Sequence, residues 1–224
     1  MTISHVSRSG QTFAVAEIDL KQVALQLFWK NASGQRFANF ESLKSELHKR
    51  HRKMLFATNA GIFDPTFTPL GLHVEEGQVL VPLNRDAGAG NFYLKPNGVF
   101  LVNRQGAQIV QTEKFAGPTN DTILATQSGP MLLIDGVINP LFPQDSRNRH
   151  IRSGVGVGLS GQVYFAISTE PVTFNALAAL FRDSLHCQQA LYLDGAISRF
   201  YTPQDGKPEQ QENFAGILAA TVAE

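Results

Sequence analysis

Short apolar runs, broken every few residues by glycine, asparagine or proline, fill the middle of this chain and decide what it can fold into. Residues 54–58 (MLFAT), 70–76 (LGLHVEE), 78–83 (QVLVPL), 91–95 (NFYLK) and 98–102 (GVFLV) are too short for helices and suit strands. Glu76-Gly77 and Asn97-Gly98 supply residues that tolerate positive φ in tight turns. Further on, 122–127 (TILATQ) and 131–135 (MLLID) bracket Ser128-Gly129-Pro130, while 154–159 (GVGVGL) and 162–168 (QVYFAIS) bracket Ser160-Gly161. The spacing describes hairpins, not a regular alternation of strand and helix.

The flanks add two more strands and two helices. Residues 12–20 (TFAVAEIDL) read as a strand and 19–22 (DLKQ) as its turn. Val23, Leu25, Leu27 and Trp29 then alternate with Ala24, Gln26 and Phe28 at the period of a sheet. At Phe37 the period changes. Phe37, Phe40, Leu43 and Leu47 share one helical face, with Glu41, Lys44 and Glu46 toward water. The basic run 48–53 (HKRHRK) closes that helix, where positive charge complements the helix dipole; an anion site would use the same residues. Phe174, Leu177, Leu180, Phe181 and Leu185 predict a second helix capped by Thr173, leading into 190–195 (ALYLDG). The tail 213–223 (NFAGILAATVA) fits a helix by its alanines and a buried last strand by Gly216 and Ile217-Leu218. The expected fold is α+β, a single domain over 11–224 with curved mixed or mainly antiparallel sheets and two main helices.

Composition excludes several classes. With 224 residues, 43% of them hydrophobic, the chain can bury roughly 70% of its extended surface. Nineteen basic and nineteen acidic side chains balance, which argues against bulk electrostatic capture of nucleic acid. The single cysteine, Cys187, rules out an internal disulfide and reads as a core thiol rather than a nucleophile. No run of eighteen apolar residues offers a transmembrane segment. The polar start, residues 1–10, lacks the apolar stretch of a signal peptide; a cytoplasmic protein, or an exported one whose signal has been removed, would begin this way.

No familiar catalytic signature is present. The sequence has no G-x-S-x-G elbow, no phosphate-binding G-x-x-x-x-G-K motif, no H-E-x-x-H helix and no zinc spacing among its histidines. No cofactor is firmly implied. Asp64, Asp135 and Asp194 offer the oxygen ligands that a divalent cation favours, which keeps a cation open.

What remains is polar chemistry at strand ends. Asp194 terminates the run Ala190-Leu191-Tyr192-Leu193 and is followed by Gly195, so it could cap a turn or react. Asn59 follows Phe56-Ala57-Thr58, with Gly61 and Asp64 close behind; its amide could meet a ligand or the loop backbone. Gln127 and Ser128 precede Gly129-Pro130 and allow the same two readings. Arg147, Arg149, His150 and Arg152 crowd one segment, and arginine offers a planar fork for phosphate or carboxylate. In extended chain His150 and Arg152 would share a face while Arg149 points away.

Together these positions resemble the phosphodiester glycosidase family. The resemblance rests on Asn59-Ala60-Gly61-Ile62-Phe63-Asp64 with Pro69 and Gly71 downstream, and on Gln127-Ser128-Gly129-Pro130 with Asp135-Gly136. Arg152 before the 154–158 glycine run, and Leu193-Asp194-Gly195 with Ser198, complete it. It extends from about Phe13 nearly to the end, and 91–100 (NFYLKPNGVF) with 190–198 (ALYLDGAIS) are similar to a small bacterial branch. The resemblance implies hydrolysis of a sugar phosphodiester at the glycosidic bond, releasing a phosphomonoester, with a sugar phosphodiester or glycan as partner. It also implies a periplasmic or secreted location, the alternative being cytoplasmic.

Two departures stand out. Asn59-Ala60-Gly61 and Asp194-Gly195-Ala196 replace the family's usual Asn-Gly-Gly and Asp-Gly-Gly, putting a methyl group at each turn. Carried over by position, Arg152 would meet phosphate, Asp194 the anomeric centre, and Asp64 would be the second carboxylate. Asn59, Gln127, Ser128 and Ser198 would orient substrate oxygens, and His150 would transfer a proton. Two other functions compete. One is a non-catalytic carbohydrate or cell-wall-binding module using Phe67, Phe200 or Tyr201 as exposed aromatics. The other is a metal-assisted phosphodiesterase that cuts the P–O bond.

Overall fold

The structure is a computed structural model that describes residues 1–205 and 214–224. In chain order its main elements are β1 (Thr2–Arg8), β2 (Gln11–Ile18), β3 (Ala24–Phe28), α1 (Phe40–Lys49), β4 (Arg52–Asn59) and β5 (His73–Glu75). Then come β6 (Gln78–Val81), β7 (Gly98–Asn103), β8 (Gly106–Gln111), β9 (Thr122–Ser128), β10 (Met131–Ile134) and β11 (Val137–Ile138). The last are β12 (Ser153–Gly158), β13 (Val163–Ser168), α2 (Phe174–Ala179), β14 (Cys187–Tyr192), β15 (Phe200–Tyr201) and β16 (Ile217–Ala223).

Among the described residues the strands form three sheets, ordered β1-β2-β13-β12-β14-β10-β11, β15-β4-β16-β3 and β6-β5-β9-β7-β8. Their pairings are antiparallel, one of the two arrangements expected. The fold is α+β with two main helices, as expected. The helices cover outer faces: α1 packs Leu43 and Leu47 with Phe40 against Met54, Ala57 and Ile217 of the four-stranded sheet. The second helix packs Leu177 and Ala178 with Leu132 and Ala190 of the seven-stranded sheet. The sheets meet around Phe165, whose ring lies 5.4 Å from Phe56 and 6.0 Å from Phe100, one contact in each of the other two sheets.

Several elements differ from the sequence expectation for local reasons. Helix α1 starts at Phe40 because Asn39 caps it, accepting from Ser42 N at 2.8 Å, and Ala38 sits at φ 63°. Phe37 is buried all the same, edge-on to Phe28 at 6.0 Å. Residues 91–95 make a 3₁₀ turn, Asn91–Tyr93, rather than a strand. Of the stretch 70–76, only His73–Glu75 pairs. Thr173 caps α2 as predicted, accepting from Ala176 N at 3.1 Å, and a π-helical turn, Leu180–Ser184, carries the stripe onward.

The ambiguous tail is strand β16, seated between β3 and β4. Buried on both faces from Ile217 to Thr221, it has no polar face for alternation to reveal. Asn213, at the start of that stretch, lies outside the described residues. Strand β1 was not predicted; its exposed Thr2, Ser4, His5 and Ser7 hide the period of an edge strand.

A candidate active site around the Asp194 turn

Three strands bring the polar residues together. Antiparallel pairing sets the end of β14 beside the start of β12, with Tyr192 opposite Gly154. The end of β4 lies against the start of β16, Asn59 opposite Ile217, and against β15, Thr58 opposite Phe200. Asp194 leaves β14 at this junction, half-buried.

Its backbone is held from two directions. Asn59 is buried, and its Nδ2 donates to the Asp194 carbonyl at 3.0 Å. The Asn59 Oδ1 accepts from Arg199 N at 3.3 Å, so one amide ties both ends of the turn to β4. Ser198 Oγ lies 3.1 Å from the same Asp194 carbonyl and 2.9 Å from Ser153 Oγ. Ser153 in turn accepts from Leu193 N at 3.1 Å through its carbonyl. Asn59, Ser198 and Asp194, singled out separately in the sequence, therefore form one cluster.

Arg152 lies behind it. The side chain is 1% exposed, and its guanidinium stacks 3.7 Å from the centre of the Phe174 ring. Nε donates to Val172 O at 2.9 Å and one terminal nitrogen to Asn148 Oδ1 at 2.8 Å; the other reaches the Tyr192 hydroxyl at 3.5 Å. Among the described residues no carboxylate pairs with it. Burial pushes its pKa below the ordinary value, while the Tyr192 contact acts the other way. Tyr192 is pushed up by burial foremost, with Arg152 opposing, so it is a neutral phenol at pH 7.

The other predicted residues are placed differently. Gln127 is buried with its amide fully used: Oε1 accepts from Leu72 N (3.0 Å) and Asn84 N (2.9 Å), and Nε2 donates to Asn84 O (2.6 Å) and Thr112 Oγ1 (3.2 Å). It fastens the 70–84 chain to β9 and has no hydrogen-bonding position left for a ligand. Ser128 is buried, and its hydroxyl has no partner among the described residues.

Asp64 Oδ1 accepts from Thr66 N (2.8 Å), Thr66 Oγ1 (2.6 Å) and Thr68 N (3.0 Å), the bonding of a loop cap. The Thr66 hydroxyl first, then the Thr68 amide, lower its pKa, so it stays a carboxylate. His150 is exposed and joins Val172 through backbone bonds, whereas Arg152 is buried, so the two side chains do not share one environment.

One expectation about exposed aromatics is corrected. Tyr201 is 3% exposed, packed near Phe40, and cannot serve as an exposed aromatic. The Phe67 ring is stacked on Phe63 at 5.3 Å and covered by Arg36 at 3.9 Å. Asp64, Asp135 and Asp194 do not gather: among the described residues no three His, Cys, Asp or Glu side chains are arranged to hold a metal. No described helix is long and apolar enough to cross a membrane.

Sequence reasoning passed over Tyr192, Ser153 and His73. The first two look like ordinary strand residues; their only signal is proximity to Asp194 and Arg152 in the chain. His73 is buried in β5, with Nε2 2.7 Å from Glu75 Oε1 and no partner for Nδ1 among the described residues.

The sequence profile of the phosphodiester glycosidase family matches residues 52–217. The chain belongs to that family. It is 34% identical over 195 residues to the uncharacterised protein YigE of Escherichia coli K12, covering 87% of this chain and 76% of YigE. A similar solved structure is the zebrafish N-acetylglucosamine-1-phosphodiester alpha-N-acetylglucosaminidase catalytic domain auto-inhibited by its pro-peptide. It has a TM-score of 0.66 at 15% identity, covering 97% of this chain and 81% of that one. Another is a putative exported protein from Burkholderia pseudomallei, with a TM-score of 0.55 at 11% identity over 94% of this chain and 74% of the other. At these identities the solved structures speak for the fold.

Proposed function

We propose that this protein hydrolyses a sugar phosphodiester at its glycosidic bond, releasing the sugar and a phosphomonoester, with Asp194 as the reacting carboxylate. The observation that carries the reading is the fixed Asp194 turn in a chain of this family. Two side chains from different parts of the fold hold the Asp194 carbonyl, at 3.0 and 3.1 Å, which sets the direction of the residue.

The chemistry follows from the leaving group. Water adds to the anomeric carbon as the bond from that carbon to the phosphate oxygen breaks, and the electron pair leaves with the phosphate. A proton from water balances the charge. Because a phosphate oxygen leaves readily, the need for a strong general acid is small, and stabilising charge matters more. Asp194 would face the positive charge developing at the anomeric carbon. Arg152, a buried cation without a carboxylate partner among the described residues, would favour an anionic ligand at the turn. Ser128, whose buried hydroxyl has no partner among the described residues, would be a further donor to substrate. Asn59 and Ser198 act on the Asp194 backbone, and Gln127 on the loop, so none of the three is given a substrate contact.

The reading is tested by incubating the protein, and Asp194→Asn, with a panel of sugar 1-phosphodiesters and identifying products by mass spectrometry. Free sugar and phosphomonoester are expected from the wild type, with turnover lost in a variant that remains folded by circular dichroism. Equal turnover in both would remove Asp194 from the chemistry. Sugar retention without turnover of any panel member would favour a binding module.

A further inference from the structure

Gly195 has a physical reason to be glycine that the turn alone does not supply. A Cβ built there would coincide with the Tyr192 hydroxyl, so the phenol fills the space where a side chain would start. The same hydroxyl lies against the Gly195 backbone and is 3.5 Å from an Arg152 terminal nitrogen. Its ring is held edge-on to Phe174 at 4.7 Å, and Phe174 also carries the Arg152 guanidinium. One phenol oxygen thus touches a buried cation on one side and the residue after Asp194 on the other.

We propose that Tyr192 is a positioning residue for the Asp194 turn, its hydroxyl linking the buried Arg152 guanidinium to the Gly195 amide. The proposal rests on the reading of Asp194 as the reacting carboxylate. Arg152 then acts on the turn through Tyr192. Its Nε and one terminal nitrogen are already engaged by Val172 and Asn148, which fix the guanidinium so that the remaining nitrogen meets the phenol. Asn59 and Ser198 hold the Asp194 carbonyl; Tyr192 holds the next amide. The peptide leaving Asp194 is held at its oxygen by hydrogen bonds from Asn59 and Ser198, and with Tyr192 against Gly195 on its other side its plane would be fixed.

Tyr192→Phe removes the oxygen and keeps the aromatic packing, so the link can be cut without emptying the core. In amide hydrogen exchange the Gly195 N–H should be protected in the wild type and at least about tenfold faster in Tyr192→Phe, while the other amides of β14 keep their rates. Gly195→Ala, which displaces the phenol, should move the Arg152 Nε–H resonance through Tyr192. In the Tyr192→Phe background that response should vanish, because the relay is already broken. A Gly195 amide with unchanged protection in Tyr192→Phe overturns the proposal. If Gly195→Ala does not fold, the exchange comparison alone decides.

Activity supplies the second arm. On a sugar 1-phosphodiester that the wild type turns over, Tyr192→Phe should lower kcat by about tenfold or more with KM held within about twofold, as loss of orientation does. Unchanged kcat in a variant whose Gly195 amide has lost protection also overturns the proposal. Absence of wild-type turnover would instead sink the hydrolase reading, with the resonances still deciding whether the link exists.

Discussion

Asn59 acts as a cross-link, since its side chain joins β4 to residues 135 and 140 positions later. Asn59→Ala leaves the Asp194 carbonyl with one side-chain donor fewer and the Arg199 amide without its Asn59 acceptor, at a cost of about 1–3 kcal/mol. A thermal melt should show a drop of several degrees, with turnover falling further than stability; an unchanged melting temperature would contradict the cross-link. Cys187 is the opposite kind of residue. Burial raises its thiol from 9.0 to about 12, so the folded protein keeps a proton that the unfolded chain sheds. That contribution is fully present below pH 9 and is lost as the pH rises toward 12. At pH 9 iodoacetamide should label Cys187 only after denaturation, and rapid labelling of the native protein would show that the thiol is not enclosed.

Elements carry the next level. Thr173 accepts from Ala176 N at the start of a short α segment that the π turn extends, so the cap is a large share of what fixes its first turn. Thr173→Ala should cost about 1 kcal/mol, read as a lower denaturation midpoint with an unchanged slope; no loss would mean that packing on β10 alone sets the helix. The Thr173 cap and both apolar stripes are local, which is why Thr173, Leu43 and Leu47 could be recognised in the sequence, whereas the Asn39 cap was not read from it. Strand β16 could not. Its burial on both faces is a consequence of β3 and β4 closing around it, and a continuous apolar run gives helix and strand equal support. The candidate site divides the same way. Asp194, Asn59 and Ser198 stand out as polar residues at strand ends, whereas the role of Tyr192 depends on Arg152, 40 positions earlier in the chain, and no local pattern records that. Gln127 looked like a ligand group because its type and place were right. Its four bonds to Leu72, Asn84 and Thr112 come from segments that only the folded chain brings together.

At the scale of the molecule, three antiparallel sheets converge on Phe165 and leave the ends of β4, β14 and the start of β12 at one junction. A rigid meeting point of this kind can hold a turn in place while the loops around it vary, as in many folds whose sites lie at strand ends. Family membership gives the turn a chemical context, and in the proposed function the buried Arg152 would give it a sign of charge. In the proposed reaction the bond broken lies between the sugar carbon and oxygen rather than between phosphorus and oxygen. Turnover of a sugar 1-phosphodiester in ¹⁸O-labelled water, read by mass spectrometry of both products, tests it most directly. The label is expected in the released sugar, with none in the phosphomonoester; label in the phosphate would contradict the account and identify a phosphodiesterase.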